Sequence, residues 1–196
     1  MSIFEGIAWF AIAKFVGIAG PLLYSGITAQ YSVTFVEPII QHAPTELVMA
    51  KQWLHGYQYG PLWVPPLVAP STAANLYLAY LANVAGVVWK RNAYIAAAIC
   101  IWSIFPITFF YMEPGINGAS KWKVERLSKD EKDHKRMKET SWYYPSAHMH
   151  GGTKASREWA ERTSMRQLIL FWRWINNWRA LIALVAGAAS GYATLR

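Results

Sequence analysis

Three long stretches of this chain carry no charged side chain: Phe15 to Val36, Pro61 to Trp89 and Asn92 to Met112. A bilayer core about 30 Å thick needs about 20 apolar helical residues to cross it, and each stretch is long enough. A fourth, Ala180 to Leu195, crosses only if its helix starts earlier and draws in Phe171 through Arg179. The expected fold is all-α, a four-transmembrane-helix bundle with spans near 9–34, 67–89, 92–112 and 168–195. Pro21 is expected to kink the first span, because its ring blocks the local helical hydrogen bond. The whole chain, 1–196, reads as a single integral membrane domain.

Composition agrees. The 196 residues are 54% hydrophobic and 15% charged, against about 25% charged for an ordinary soluble domain. A soluble domain of this size has too much surface to cover with so few charges. One cysteine, Cys100, excludes an intramolecular disulfide and a cysteine-based metal site. The N-terminus lacks a basic leader, and its apolar stretch exceeds that of a signal peptide.

The positive charge is concentrated. Of 19 lysines and arginines, 14 lie between Lys121 and Arg179 with seven acids, so this segment holds +7 of the net +8. It falls mostly in a long charged loop, about 113–167, between the third and fourth spans. The positive-inside rule places that loop in the cytosol and both termini opposite, although Lys90 and Arg91 pull the other way. Charges of alternating sign, without stacking aromatics, do not read as a nucleic-acid surface. Within the loop, 128–140 reads as a solvated helix or a mobile charged stretch, and 156–166 as an amphipathic helix leading into the last span. No internal repeat suggests a two-halved transporter.

Polar side chains gather at the cytosolic ends of the spans. The segment after the first span carries Gln52, Trp53, His55, Tyr57 and Tyr59; the third span leaves through Thr108, Glu113 and Asn117; the fourth begins with Trp172, Asn176, Trp178 and Arg179. Asn176 and Arg179 share a helix face, as residues three apart do. Such residues either anchor the interface and bond between helices or line a functional pocket. Convergence from three segments favours a pocket for some of them. His148 and His150 have no evident third ligand, so no metal site is expected.

On these residues the chain resembles the anthrone oxygenase-like family, small four-helix membrane proteins. The matching patterns are Gln52-Trp53…Tyr57…Gly60 with Pro65-Pro66, then Pro106…Thr108…Pro114…Asn117, and Trp172…Asn176…Arg179. The long charged loop, with Trp142-Tyr-Tyr-Pro145 and His148-Met-His150, is not part of that pattern. The resemblance implies a membrane-embedded, cofactor-independent monooxygenase of aromatic polyketide biosynthesis. It would oxidise an anthrone-type polycyclic aromatic to an anthraquinone, with dioxygen as co-substrate and no metal or organic cofactor. Such chemistry needs a base, a donor for the enolate oxygen, and a water-excluding aromatic slot. His55 is the expected base, with an interfacial role equally open to it and with Glu113 and Glu37 in reserve. Arg179, Asn176 and Asn117 would hold the oxygens. Gln52, Trp53, Tyr57, Thr108, Glu113, Trp172 and Trp178 would bind a small hydrophobic aromatic substrate. The expected location is the endoplasmic reticulum or another endomembrane. The rival readings are a non-enzymatic membrane scaffold or assembly subunit, whose basic loop binds a partner or anionic lipid, and a carrier of small hydrophobic molecules.

Overall fold

A computed structural model describes residues 3–129 and 151–196, with side chains from Ala8 onward. Most of the 128–140 stretch, Trp142 through Pro145, His148 and His150 lie outside the described residues.

The described chain is all-helical. Helix α1 (Ile3–Gln30) continues through π-helical turns at Tyr31–Phe35 into α2 (Val36–His42), and α3 (Glu46–Tyr57) follows. Next come α4 (Gly60–Val84), α5 (Val88–Trp102) and the short α6 (Ile104–Pro106). A second π-helical segment, Ile107–Asn117, leads into α7 (Gly118–Leu127), and α8 (Lys154–Arg162) and α9 (Met165–Leu195) complete the order. Among the described residues, three helical runs are long and apolar enough to cross a membrane: Ala8–His42, Val88–Leu127 and Met165–Leu195. The expected second span falls in α4, which is not among these three. Pro65, Pro66, Pro70 and the buried Ser71, Thr72 and Asn75 make that helix less apolar than its lack of charge suggested.

The expected boundaries need correcting. The first run continues past 34 to His42, and the third past 112 to Leu127, so the loop expected from 113 is helical over its first 15 residues. Hydropathy ends a span at the first charges, whereas backbone hydrogen bonding continues wherever charges find partners. Helix α4 ends at Val84, not at 89. There Gly86, at φ +72°, forms a Schellman cap: its N–H donates to Asn83 O (3.0 Å), and the Val87 N–H donates to Ala82 O (2.9 Å). A left-handed residue at this position favours glycine.

The chain divides into two compact units. The first comprises Met1–Thr28, Val64–Ile104 and Trp178–Arg196. Its core is small-residue packing of Ala13, Ala74, Leu78, Ala79, Ala82, Tyr94 and Ala193. Helix α1 runs on through Pro21, which has no N–H to offer the carbonyl of Gly17 four residues back. Asn75 supplies the missing donor, with Nδ2 3.1 Å from Gly17 O. The outward positions carry Phe15, Ile99 and Leu23, all well exposed, as expected of helices solvated by lipid rather than water.

The second unit comprises Ala29–Trp63 and Phe105–Asn177. Its core joins α3, α7, α8 and the first half of α9 through Trp53, Leu54, Met112, Ile116, Val124, Ala160, Leu168 and Trp172. The amphipathic helix expected at 156–166 is shorter: α8 ends at Arg162 and breaks at Thr163 and Ser164 before α9, and it is capped by the Thr153 hydroxyl, which accepts from Ser156 N at 3.2 Å. Lys123 Nζ donates to Ala160 O (3.3 Å), and Arg126 pairs with Glu161, so α7 and α8 are fastened together.

Candidate functional site

Helix α3 organises the polar residues of the second unit. Thr45 caps its start, accepting from Val48 N at 3.2 Å. The 3.6-residue period then sorts its side chains onto two faces. Trp53 and Tyr57, four apart, turn toward the unit's core, whereas Lys51, Gln52 and His55 line a groove. That groove has a volume of about 460 Å³ and is walled by Phe35, Pro38 and Ile39, with Thr34 at its side. The groove is open: Thr34, Pro38, Gln52 and His55 are exposed, and Ile39 is its buried lining residue. His55 stands edge-on to Tyr59, with ring centroids 5.3 Å apart. Gly56 permits the close approach of the Phe35 wall, because a Cβ there would fall 2.1 Å from Phe35 Cζ.

The core-facing side of α3 meets a buried ionic network. Glu113 stands in the π-helical segment Ile107–Asn117, a type of helix irregularity frequent at functional sites. Its Oε1 accepts from Tyr57 OH (2.5 Å) and Asn117 Nδ2 (2.7 Å), and its Oε2 meets Lys121 Nζ at 2.8 Å. Lys121 is only 1% exposed and lies 5.4 Å from the centre of the Tyr57 ring. Trp53 stacks on Tyr57 at 5.1 Å and meets Trp172 edge-on at 6.1 Å. Asn176, one turn beyond Trp172, donates to the Trp172 carbonyl at 2.9 Å. Trp53 Nε1, Asn117 Oδ1 and Ser120 Oγ are buried without a hydrogen-bond partner among the described residues.

The structure therefore brings Trp53, Tyr57, Glu113, Asn117 and Trp172 together, and sets Gln52 and His55 on the opposite face of α3. Thr108 is partly buried in the same π-helical segment as Glu113. Arg179 and Trp178 belong to the other unit. There the Arg179 guanidinium is buried, its Cζ 5.7 Å from the centre of the Tyr24 ring, while Trp178 is half exposed. Glu37 is held by Arg173 (2.6 Å) and by Gln41 (2.7 Å). Lys121 is the residue that sequence reasoning missed. The spacing 113, 117, 121 was its signal, since residues four apart lie on one helix face. Among the described residues, no group of three or more His, Cys, Asp and Glu side chains is placed to hold a metal ion.

Comparison with known proteins gives this arrangement a family. A family model described as anthrone oxygenase matches residues 53–189. The chain belongs to the anthrone oxygenase family. No curated protein and no solved structure matches it. The anthrone oxygenase match takes in His55, the whole Glu113 network, and both Asn176 and Arg179. Membership supports an oxygenase-type enzyme related to polyketide biosynthesis. The three long apolar helical runs point to association with a lipid bilayer.

Proposed function

We propose that this protein oxidises an anthrone-type polycyclic aromatic to the corresponding anthraquinone in the groove beside α3. Dioxygen is the co-substrate, and no metal or organic cofactor takes part. The observation that carries this reading is a groove of about 460 Å³ that sets a histidine and a glutamine against an apolar wall, in a chain of this family.

The chemistry follows from the substrate. The benzylic CH₂ of an anthrone is acidic, since its anion is an aromatic phenolate. His55 accepts one of its protons, the role an imidazole ring nitrogen most often takes in proton transfer. The electron-rich anion reduces dioxygen by one electron, and the two radicals combine at carbon to give a peroxide. Loss of the second benzylic proton with cleavage of the O–O bond forms the new carbonyl and, after protonation, water. Anthrone plus O₂ thus gives anthraquinone plus H₂O, with all atoms and electrons accounted for. Gln52 orients the carbonyl oxygen, and Phe35, Pro38 and Ile39 offer an apolar surface to one face of the ring. In this assignment Asn117, whose amide serves Glu113, takes no direct part in the reaction. Trp53, Tyr57 and Trp172 act from the core side, fixing the helix that carries His55.

The test is to incubate detergent-purified protein with an anthrone under oxygen and to follow quinone absorbance against a boiled control. Acceleration is expected, with a loss of about 10²-fold or more in His55→Gln, the usual worth of a positioned base. A rate equal to the control overturns the reading, and one equivalent of bound iron or copper in active protein overturns its cofactor-free form.

A further inference from the structure

Three cations of the first unit, Lys90, Arg91 and Arg196, stand where α4 turns into α5 and where α9 ends. No aspartate or glutamate occurs among the described side chains of that unit. The cations lie at the ends of two of the apolar runs, one beginning at Val88 and the other ending at Leu195. Side-chain contacts hold those two ends together. The Tyr94 and Thr194 hydroxyl oxygens are 3.0 Å apart, and the Trp89 and Tyr192 rings meet edge-on at 5.7 Å. Lys90 Nζ lies 5.5 Å from the centre of the Trp89 ring, and Arg196 Cζ lies 5.4 Å from that of Tyr192. Neutral amides set Arg91: Nη1 donates to Asn83 Oδ1 at 3.2 Å, while Nε and Nη2 donate to Asn92 Oδ1 at 3.1 and 3.0 Å. Those bonds fix the guanidinium and leave its charge uncancelled.

We propose that this end of the unit binds the phosphate headgroup of an acidic phospholipid, with Arg91 as the fixed contact and Lys90 and Arg196 as flexible ones. None of the three belongs to the α3 groove or to the segment Lys121–Arg179 that holds most of the chain's positive charge. The position is that of a membrane interface, since two apolar runs end there and Trp and Tyr gather where hydrocarbon meets headgroups. Trp89 and Tyr192 are both well exposed, and they offer ring surface to the glycerol and upper acyl chains. Two of the five guanidinium N–H groups of Arg91, one on each terminal nitrogen, remain for phosphate oxygens. Bonds of that kind are charge-assisted and about twice as strong as neutral ones. Lys90 and Arg91 also stand in the first turn of α5, where the helix dipole presents positive charge, and an anion relieves that repulsion. A choline or ethanolamine headgroup would instead bring its own cation to a cluster with no acid among the described side chains. Each Lys or Arg near an anionic surface is worth about fivefold in binding. Because Arg196 is exposed and zwitterionic lipids also carry a phosphate, the expected net preference for acidic lipid is about tenfold.

Native mass spectrometry of the full-length protein in detergent, titrated with phosphatidylglycerol or with phosphatidylcholine of the same acyl chains, measures the dissociation constant of the first bound lipid. Phosphatidylglycerol is expected to bind about tenfold more tightly. In Lys90→Gln/Arg91→Gln that preference should fall to about twofold or less. A second variant, Lys90→Gln/Arg196→Gln, keeps the Arg91 bonds to Asn83 and Asn92 and should reduce the preference by about threefold or more, so a folding defect in the first does not decide the matter. Arg162→Gln/Arg166→Gln, at exposed cations of the second unit, should leave the preference unchanged. Equal binding of the two lipids overturns the inference, as does a preference that survives both Lys90 variants. A preference lost in Arg162→Gln/Arg166→Gln overturns it as well, because the acidic lipid would then sit on the second unit.

Discussion

Replacing Lys121 by methionine is the sharpest probe of the network behind α3. The substitution keeps the length and apolar bulk of the side chain and removes only the charge and its donors. In the native protein that ammonium is 1% exposed and 2.8 Å from Glu113 Oε2, while the Glu113 side chain is 23% exposed. Removing one partner of a buried ion pair costs about 3–5 kcal/mol, because the other charge is left uncompensated. Here Glu113 keeps Tyr57 and Asn117 as donors and some access to solvent, so a loss of about 3 kcal/mol is expected. That corresponds to a change of roughly 100-fold in the folded-to-unfolded ratio. Lys121→Met combined with Glu113→Gln leaves no stranded charge and should recover part of the loss, giving a coupling of at least about 1 kcal/mol. Equilibrium unfolding in mixed micelles with increasing denaturing detergent measures all four corners of this cycle. A single-variant loss below about 1 kcal/mol, or strictly additive effects, would refute the view that this pair is a buried, mutually dependent unit.

Two further perturbations test the packing around the groove and within the first unit. Gly56→Ala places a Cβ 2.1 Å from Phe35 Cζ, which should cost about 1–3 kcal/mol of overpacking in the same unfolding assay; Phe35→Leu in the same chain should relieve much of the loss. Asn75→Ala removes the donor that serves the Gly17 carbonyl, for an expected loss of about 1–3 kcal/mol in the same unfolding assay. Pro21→Ala restores a backbone N–H to that carbonyl, so Asn75→Ala should cost clearly less in its background; an undiminished cost would show that the hydrogen bond is not what Asn75 contributes.

Much of the helical arrangement is legible in single residues, because local rules decide it. Absence of charge marks the long apolar runs, but it carries the second past Gly86, whose left-handed turn follows the end of α4 at Val84. The errors arise where a tertiary partner overrides a local signal. Glu113 and Lys121 look like the start of a solvated loop when read as isolated charges, yet they satisfy each other and the helix continues to Leu127. In the same way, uncharged α4 looks like the easiest span, yet its prolines, hydroxyls and Asn75 lower its apolar character.

The site divides along the same line. Periodicity places Trp53 with Tyr57 and Lys51 with His55, since four-residue spacing fixes a shared face. It cannot say which face meets a partner, because that depends on residues more than fifty positions away. Tyr57 is drawn to the core side by Glu113 and the buried Lys121, and Trp53 goes with it against Trp172. Once those two are committed inward, rotation about the same helix leaves Gln52 and His55 facing the groove against Phe35 and Pro38. The buried ion pair is a costly element in an apolar setting. Its physical effect is to fix the rotation of α3, and with it the direction in which His55, the proposed base, faces the groove. A groove histidine held by a hydrophobic face alone could slip by a fraction of a turn. Three directed bonds to Glu113, one of them from Tyr57 of α3, define a single setting, which is the preorganisation the proposed base needs.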